Sequence, residues 1–274
     1  MKKLIALITA VTLCQILSAQ PMKPDKVNMD TLNVYPLRNN VVNTAFKKGE
    51  KLTYRVHYGF LDAGEAVIEV KDSPKKFNGR PAWHIVGNGY TLGAFNWFFK
   101  VEDRYETYID KQGMFPQRFI RDVSEGGYTI NQDYEFHQDK RAVKTQKNET
   151  FASPANIQDM LSAYFYARTV DYSNAKKGDI FSFTVFMDDE IFPLKIRYLG
   201  KETIKLRAGK FRCMKFQPVV QEGRVFKDDD DLNVWITDDQ NKIPILVKSD
   251  LLVGSIKMEV VEFEGLSNTI AKVN

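Results

Sequence analysis

Chemistry in this chain would have to come from few residues. The three histidines, His57, His84 and His137, are far apart in the sequence, and each falls in a stretch of alternating apolar and polar residues. Zinc needs three or four ligands that converge on one point, and no such spacing occurs. The alternation puts His57 and His137 on the polar side of strands, as exposed or half-exposed residues. Cys213, in GKFRCMKFQ, has basic neighbours that would lower a thiol pKa if they faced it. Its place in an alternating strand marks it instead as a buried, inert thiol. No glycine-flanked serine of the nucleophile-elbow kind is present. Glu102 with Asp103 or Glu106 is the carboxylate pair a hydrolase would use for acid–base work, but Arg104 beside them is a simpler partner. The acidic run Asp228 to Asp231, with Asp238 and Asp239 further on, lacks the central glycine and closing glutamate of a calcium loop and reads as solvated turns. The sequence therefore assigns no catalytic residue, no metal site and no cofactor.

Aromatic residues are the remaining candidates. GYTLGAFNWFFKVEDRYETYID, residues 89 to 110, sets Phe95, Trp97, Phe98 and Phe99 almost side by side, with Tyr105 following. A regular strand sends successive side chains to opposite faces. It cannot bury Trp97, Phe98 and Phe99 on one side. Either both faces are covered there, or a ring points outwards. Gly89 and Gly93 permit a bend. If the bend gives a concave apolar face, Phe95, Trp97, Phe98, Phe99 and Tyr105 would line a site for a lipid or other apolar chain. The alternative is core packing, for which 19 Phe, 12 Tyr and 3 Trp provide ample material.

The elements that would hold such a site are strands. In KLTYRVHYGF, Leu52, Tyr54, Val56, Tyr58 and Phe60 share one face, and Asp62–Gly64 reads as the turn into EAVIEV. The same period recurs over 101–110, 115–123, 127–137, 140–147, 180–187, 190–199, 202–207, 210–219, 231–237, 243–248 and 253–264. In YTINQDYEFH, Gln132 is the one polar residue on the apolar face. Only SPANIQDMLSAYFYAR breaks the pattern. There Ile157, Met160, Leu161, Tyr164 and Phe165 recur at helical spacing, and Ser153–Pro154 suits a helix start. The expectation is an all-β fold of large curved antiparallel sheets, sandwich or open-barrel-like, with one principal amphipathic helix near 154–168.

The chain opens with MKKLIALITAVTLCQILSAQ. Two lysines, an apolar stretch and a small-residue end mark residues 1–20 as a secretory signal peptide, too short for a comfortable bilayer span. Residues 21–46, rich in proline and asparagine, read as an extended arm. Residues 47–265 read as a single β-rich domain, and 266–274 as a tail. The net charge of +4 is too small to point to nucleic acid. No later stretch is long and apolar enough for a membrane helix. Cleavage removes Cys14 and leaves Cys213 alone, so stability must come from packing.

The blocks GEKLTYRVHYGFLDAGEAVIEV, GAFNWFFKVEDRYETYID, QDMLSAYFYAR, AGKFRCMKFQP, VWITDDQNKIPILVKS and GSIKMEVVEF resemble the domain of unknown function 3108 family, exported β-rich proteins of Gram-negative bacteria. The resemblance spans roughly residues 47 to 265. Its recurring blocks match Tyr54, Tyr58, Gly59, Gly64, Phe99, Asp103, Tyr105, Gly209, Trp235, Asp238, Asp239, Pro244 and Gly254. The resemblance implies a β-rich module in the periplasm and supplies no catalytic residue. The function expected is that of a non-enzymatic envelope protein that binds an apolar or amphipathic envelope molecule. A protein-interaction module using an exposed edge strand to hold an envelope protein, and a hydrolase acting on an envelope polymer, are the alternatives.

Overall fold

The period-two segments pair mostly with their sequence neighbours. The computed structural model describes residues 21–219, 232–250 and 255–273. The expected signal peptide, Cys14 and the Asp228–Asp231 run lie outside them. The first strands are β1 (Lys51–Tyr58), β2 (Leu61–Asp72) and β3 (Ala82–Thr91), followed by a short helix α1 (Gly93–Phe98). Then come β4 (Val101–Asp110), β5 (Pro116–Glu125), β6 (Tyr128–His137), β7 (Ala142–Lys144), β8 (Thr150–Ala152) and helix α2 (Met160–Ala167). The second half holds β9 (Ile180–Met187), β10 (Glu190–Leu206), β11 (Gly209–Pro218), β12 (Leu232–Thr237), β13 (Pro244–Asp250), β14 (Ser255–Glu264) and β15 (Lys272–Val273).

All belong to one antiparallel sheet, ordered β8-β7-β6-β5-β4-β3-β2-β1-β14-β13-β12-β11-β10-β9, with β15 added alongside β11. Of the two architectures that alternation allows, the chain adopts the open-barrel-like one. The ladder does not close: β8 and β9 are its two ends. They are nevertheless covered. Met22 exchanges two backbone hydrogen bonds of 2.9 Å with Ile191, and Ala152 N–H donates to the Asp25 carbonyl at 2.9 Å. The arm thus runs between β8 and the start of β10. Gln158 in turn bonds through its backbone to Thr184 and Phe186 of β9. Covered ends suppress edge-to-edge pairing.

Curling brings the two ends of the sheet around a common core. Phe119, Tyr134, Phe136 and Phe151 from one end pack with Phe186 and Ile191 from the other. Three local differences from the sequence reading have simple causes. The β1–β2 turn is Gly59–Phe60, not Asp62–Gly64, because Gly59 takes a positive φ of 59°; Gly64 lies within β2. The segments 190–199 and 202–207 form one 17-residue strand, which continues through a bulge at Leu199, just before Gly200. The helix begins at Met160 rather than near 154. Asp159 is its true N-cap: it accepts from Ser162 N–H at 2.8 Å, and its own N–H donates to Ser162 Oγ at 2.9 Å. Such a reciprocal cap satisfies donors that the first turn leaves open.

Candidate functional site

Strand pairing explains why a hollow exists inside the sheet. Inward positions on β2 and β3 face each other as Val70 with Ile85, then Ile68 with Gly87, Ala66 with Gly89, and Gly64 with Thr91. Side-chain volume therefore falls away towards one end. That end, the mouth end, carries the β1–β2, β3–β4, β5–β6 and β9–β10 connections. Gly64 is required for backbone proximity, since a Cβ there would lie 2.9 Å from the Tyr90 carbonyl oxygen. Gly87 and Gly89 are not: the nearest atoms to an added Cβ are 4.0 Å away. Their missing side chains simply leave space.

The space is an apolar cavity of about 280 Å³, partly open to solvent. Val56, Ala66, Ile68, Gly87, Val101 and Tyr105 line one wall, and Phe183, Ile196, Val234, Val247 and Met258 the other. Helix α2 supplies Leu161, Tyr164 and Ala167 and plugs the end away from the mouth. Tyr54 and Tyr164 meet at the floor, hydroxyl to hydroxyl at 3.3 Å, and burial raises the pKa of both. Beneath them Arg168 and Glu50 form a bidentate ion pair at 2.6 and 2.8 Å. Lys242 also borders the cavity, and burial lowers its pKa.

Of the five residues singled out from sequence, Tyr105 lines this cavity. Phe95, Trp97, Phe98 and Phe99 do not border it. The aromatic run is a short helix, not a strand. Its rotation leaves Phe95 and Phe99 half-buried, while Trp97 and Phe98 are 83% and 74% exposed. Phe99 lies over the β5–β6 turn, where a Cβ on Gly126 would collide with its ring at 1.9 Å. The small residues that open the cavity were legible as alternation in DAGEA and VGNGY. That signal says that inward positions are empty, and it is easily read as turn chemistry instead.

Polar groups lie beside the cavity at the mouth end. Arg121, buried, donates to Asp188 at 3.1 Å, and Gln132 donates to the same carboxylate at 2.7 Å. This accounts for the lone polar residue on the inward face of β6. Asp103, next to Tyr105 on the inward side of β4, accepts from Ser124 N–H at 3.2 Å. Burial, then the charge of Glu125, raises its pKa to about 7, against the opposing pull of Ser124 N–H and Arg121. A native pKa above the unfolded value of about 3.9 means that the folded state keeps a proton that the unfolded chain releases. Stability through this group therefore falls as pH rises from about 4 to about 7. Asp103→Asn should remove that slope. At pH 8 the variant is expected to be the more stable by about 1–2 kcal/mol, less than the full shift implies because solvent screens the mouth end. At pH 4 the gap should close. Urea unfolding of both proteins across this range measures it.

The histidines are placed otherwise than expected in one case. His57 is 4% exposed. It sits between Asp62 at 2.8 Å and Glu259 at 3.1 Å. Long side chains on the outer face cover it, Arg55 and Arg207 both reaching Asp62. His84 pairs with Glu106 at 2.6 Å and stacks on Tyr108. Among the described residues no group of three His, Cys, Asp or Glu side chains is arranged to hold a metal ion. Cys213 is buried, and burial pushes its thiol up to about 12.

A curled, open antiparallel sheet around an apolar cavity, with one helix in its far end, is a β-barrel-like architecture. The chain belongs to the family described as protein of unknown function DUF3108, whose model matches residues 53–261. No curated protein matches the sequence. Among solved structures, a β-barrel-like protein of domain of unknown function DUF1849 from Brucella abortus is similar in fold. It shares 12% identity at a TM-score of 0.52, covering 83% of this chain and 100% of that one. A protein from Bacteroides fragilis, described as exported and of YmcC-like fold, matches at 9% identity and TM-score 0.32, covering 85% and 99%. A protein from Parabacteroides distasonis described as a lipoprotein matches at 10% and 0.29, covering 84% and 100%. No helix among the described residues is long and apolar enough to cross a membrane.

Proposed function

We propose that this protein binds a single apolar or amphipathic chain molecule inside its sheet and acts as a non-enzymatic carrier or sensor of it. The observation that carries this reading is the apolar cavity of about 280 Å³. An engineered apolar cavity of about 150 Å³ already stays dry and takes up benzene. Leucines at Gly87 and Gly89 would fill much of the cavity in this protein without a backbone clash. Binding is favoured over catalysis because two of the three carboxylates a hydrolase would pair are held in ion pairs, Glu102 with Lys100 at 2.8 Å and Glu106 with both His84 and Arg104, which leaves Asp103 without a free carboxylate partner among them. Edge-strand capture of an envelope protein has less support, since both ends of the sheet are covered by the chain itself.

The N-terminal sequence and the family resemblance support residence in the periplasm after cleavage near Ala19 or Gln20. Mass spectrometry of the N-terminus after cell fractionation tests that, and an intact Met1 in the cytoplasm would reject it. For the binding reading, the protein taken directly from cells is expected to show a bound mass of a lipid or fatty acid in native mass spectrometry. Delipidated protein is expected to bind about one equivalent of the fluorescent fatty acid cis-parinaric acid. A bare chain mass together with no probe binding would overturn the reading.

A further inference from the structure

Ten large apolar side chains are exposed among the described residues: Met22, Val34, Val42 and Ile180 lie apart, Tyr90 lies on β3, and the other five gather at one end of the sheet. Phe60 is 92% exposed, Leu61 49%, Trp97 83%, Phe98 74% and Tyr128 60%. All five lie at the mouth end: Phe60 in the β1–β2 turn, Leu61 and Tyr128 as the first residues of β2 and β6, and Trp97 and Phe98 in α1. Helix α1 is held in this place. Leu92 N–H donates to the Ala63 carbonyl at 3.0 Å, so the helix starts beside the first residues of β2, and Gly126 N–H donates to the Lys100 carbonyl at 2.9 Å. Phe99 closes over Gly126. Trp97 and Phe98 pack edge to face at 4.7 Å and keep their outer surfaces in water. The cavity reaches the same end, since Gly64, Val101 and Pro218, at or near the mouth ends of β2, β4 and β11, are among its lining residues.

We propose that this aromatic rim docks the protein on a lipid bilayer surface, with the cavity mouth facing the membrane. The inference rests on the cavity being a binding site for an apolar chain and adds where that chain is exchanged. Three features favour a bilayer as the occupant. The rim consists of projecting tips, a hairpin turn and a one-and-a-half-turn helix, and not of a groove. Tips of Phe, Leu and Trp enter a fluid interface without needing a complementary socket. Trp and Tyr join an apolar body to a polar edge that suits that depth, and Phe and Leu add purely apolar area. The rim is also continuous with a cavity that an apolar ligand could otherwise reach only through water. At about 0.8 kcal/mol for each methylene stripped of contact, a long chain crossing water is strongly disfavoured, and a mouth pressed to the bilayer avoids the crossing. Lys100, which follows Phe99, is already paired with Glu102, and apolar insertion is expected to outweigh surface charge in driving docking.

The test uses protein expressed from the full-length sequence, so that any N-terminal contribution is common to all samples, and vesicles of phosphatidylethanolamine and phosphatidylglycerol. Expected are co-sedimentation that changes less than threefold between 50 and 500 mM salt, a blue shift of tryptophan emission, and quenching by brominated lipids. Trp97→Phe should keep the binding and lose the shift, which assigns the signal to the rim. Phe60→Ser/Trp97→Ser/Phe98→Ser should weaken vesicle binding at least tenfold while keeping its circular dichroism spectrum and its uptake of cis-parinaric acid. Gly87→Leu should do the reverse, losing the probe and keeping the vesicles. Vesicle binding that is absent, or equal in the triple variant, overturns the docking proposal and leaves the cavity reading standing. So does a dimer in sedimentation velocity that the triple variant abolishes, because the rim would then be a self-association surface. Loss of probe uptake in wild type with vesicle binding intact would overturn the cavity reading alone.

Discussion

Gly87→Leu is expected to abolish uptake of an apolar chain and to leave the fold as stable as before or more so. The added Cβ would lie 4.0 Å from the nearest side-chain atoms, those of Ile68 and Tyr105, an ordinary contact distance. The rest of the leucine then occupies the cavity. Burying it contributes about 1.5–3 kcal/mol, and replacing glycine within a strand restores about 0.5–1 kcal/mol of lost backbone restriction. The midpoint of urea unfolding should therefore hold or rise. Over the same substitution, cis-parinaric acid affinity should fall at least 30-fold. The two readouts move in opposite directions, which separates occlusion of a site from general damage. Unchanged affinity would mean that the probe binds elsewhere and would remove the main support for the proposed function.

Arg168→Met should cause a large loss of stability, about 3–5 kcal/mol by urea unfolding. Arg168 and Glu50 are each about 1% exposed at the side chain. The guanidinium also donates to the carbonyls of Asn241 at 2.9 Å and Ala45 at 3.2 Å. Phe46, Tyr164 and Phe165 surround it. One side chain thus fastens the end of the N-terminal arm, the C-terminus of α2 and the β12–β13 connection. Truncating it leaves the Glu50 carboxylate buried without a countercharge, which costs more than the pair itself contributes. Arg168→Met/Glu50→Leu should recover at least half of the loss. A double variant as unstable as the single one would show that the carbonyl contacts, not the stranded charge, set the effect.

Much of the architecture follows from sequence alone. Alternation in 51–58, 101–110 and 128–137 is a local consequence of each residue having one face towards apolar surroundings, and it survives without knowledge of partners. So does the helical spacing of Met160, Leu161, Tyr164 and Phe165. Tyr105 was legible as an inward-facing residue because it alternates with charged neighbours along such a strand, and it lies on the cavity wall. Several other features were decided only in three dimensions. His57 alternates as an outward residue, and it is buried because Asp62 of β2, Glu259 of β14 and the nearby Arg55 and Arg207 converge over it across the sheet. The helix starts at Met160, capped locally by Asp159 and Ser162, and Thr107 of β4 also donates to the Asp159 carboxylate at 2.6 Å, a contact that only folding makes. The cavity arises because the register sets Gly87 opposite Ile68 and Gly89 opposite Ala66, so that small residues coincide on one inward face. Period-two spacing shows which way a side chain points; only strand register and the curl of the sheet determine whether another side chain comes to meet it.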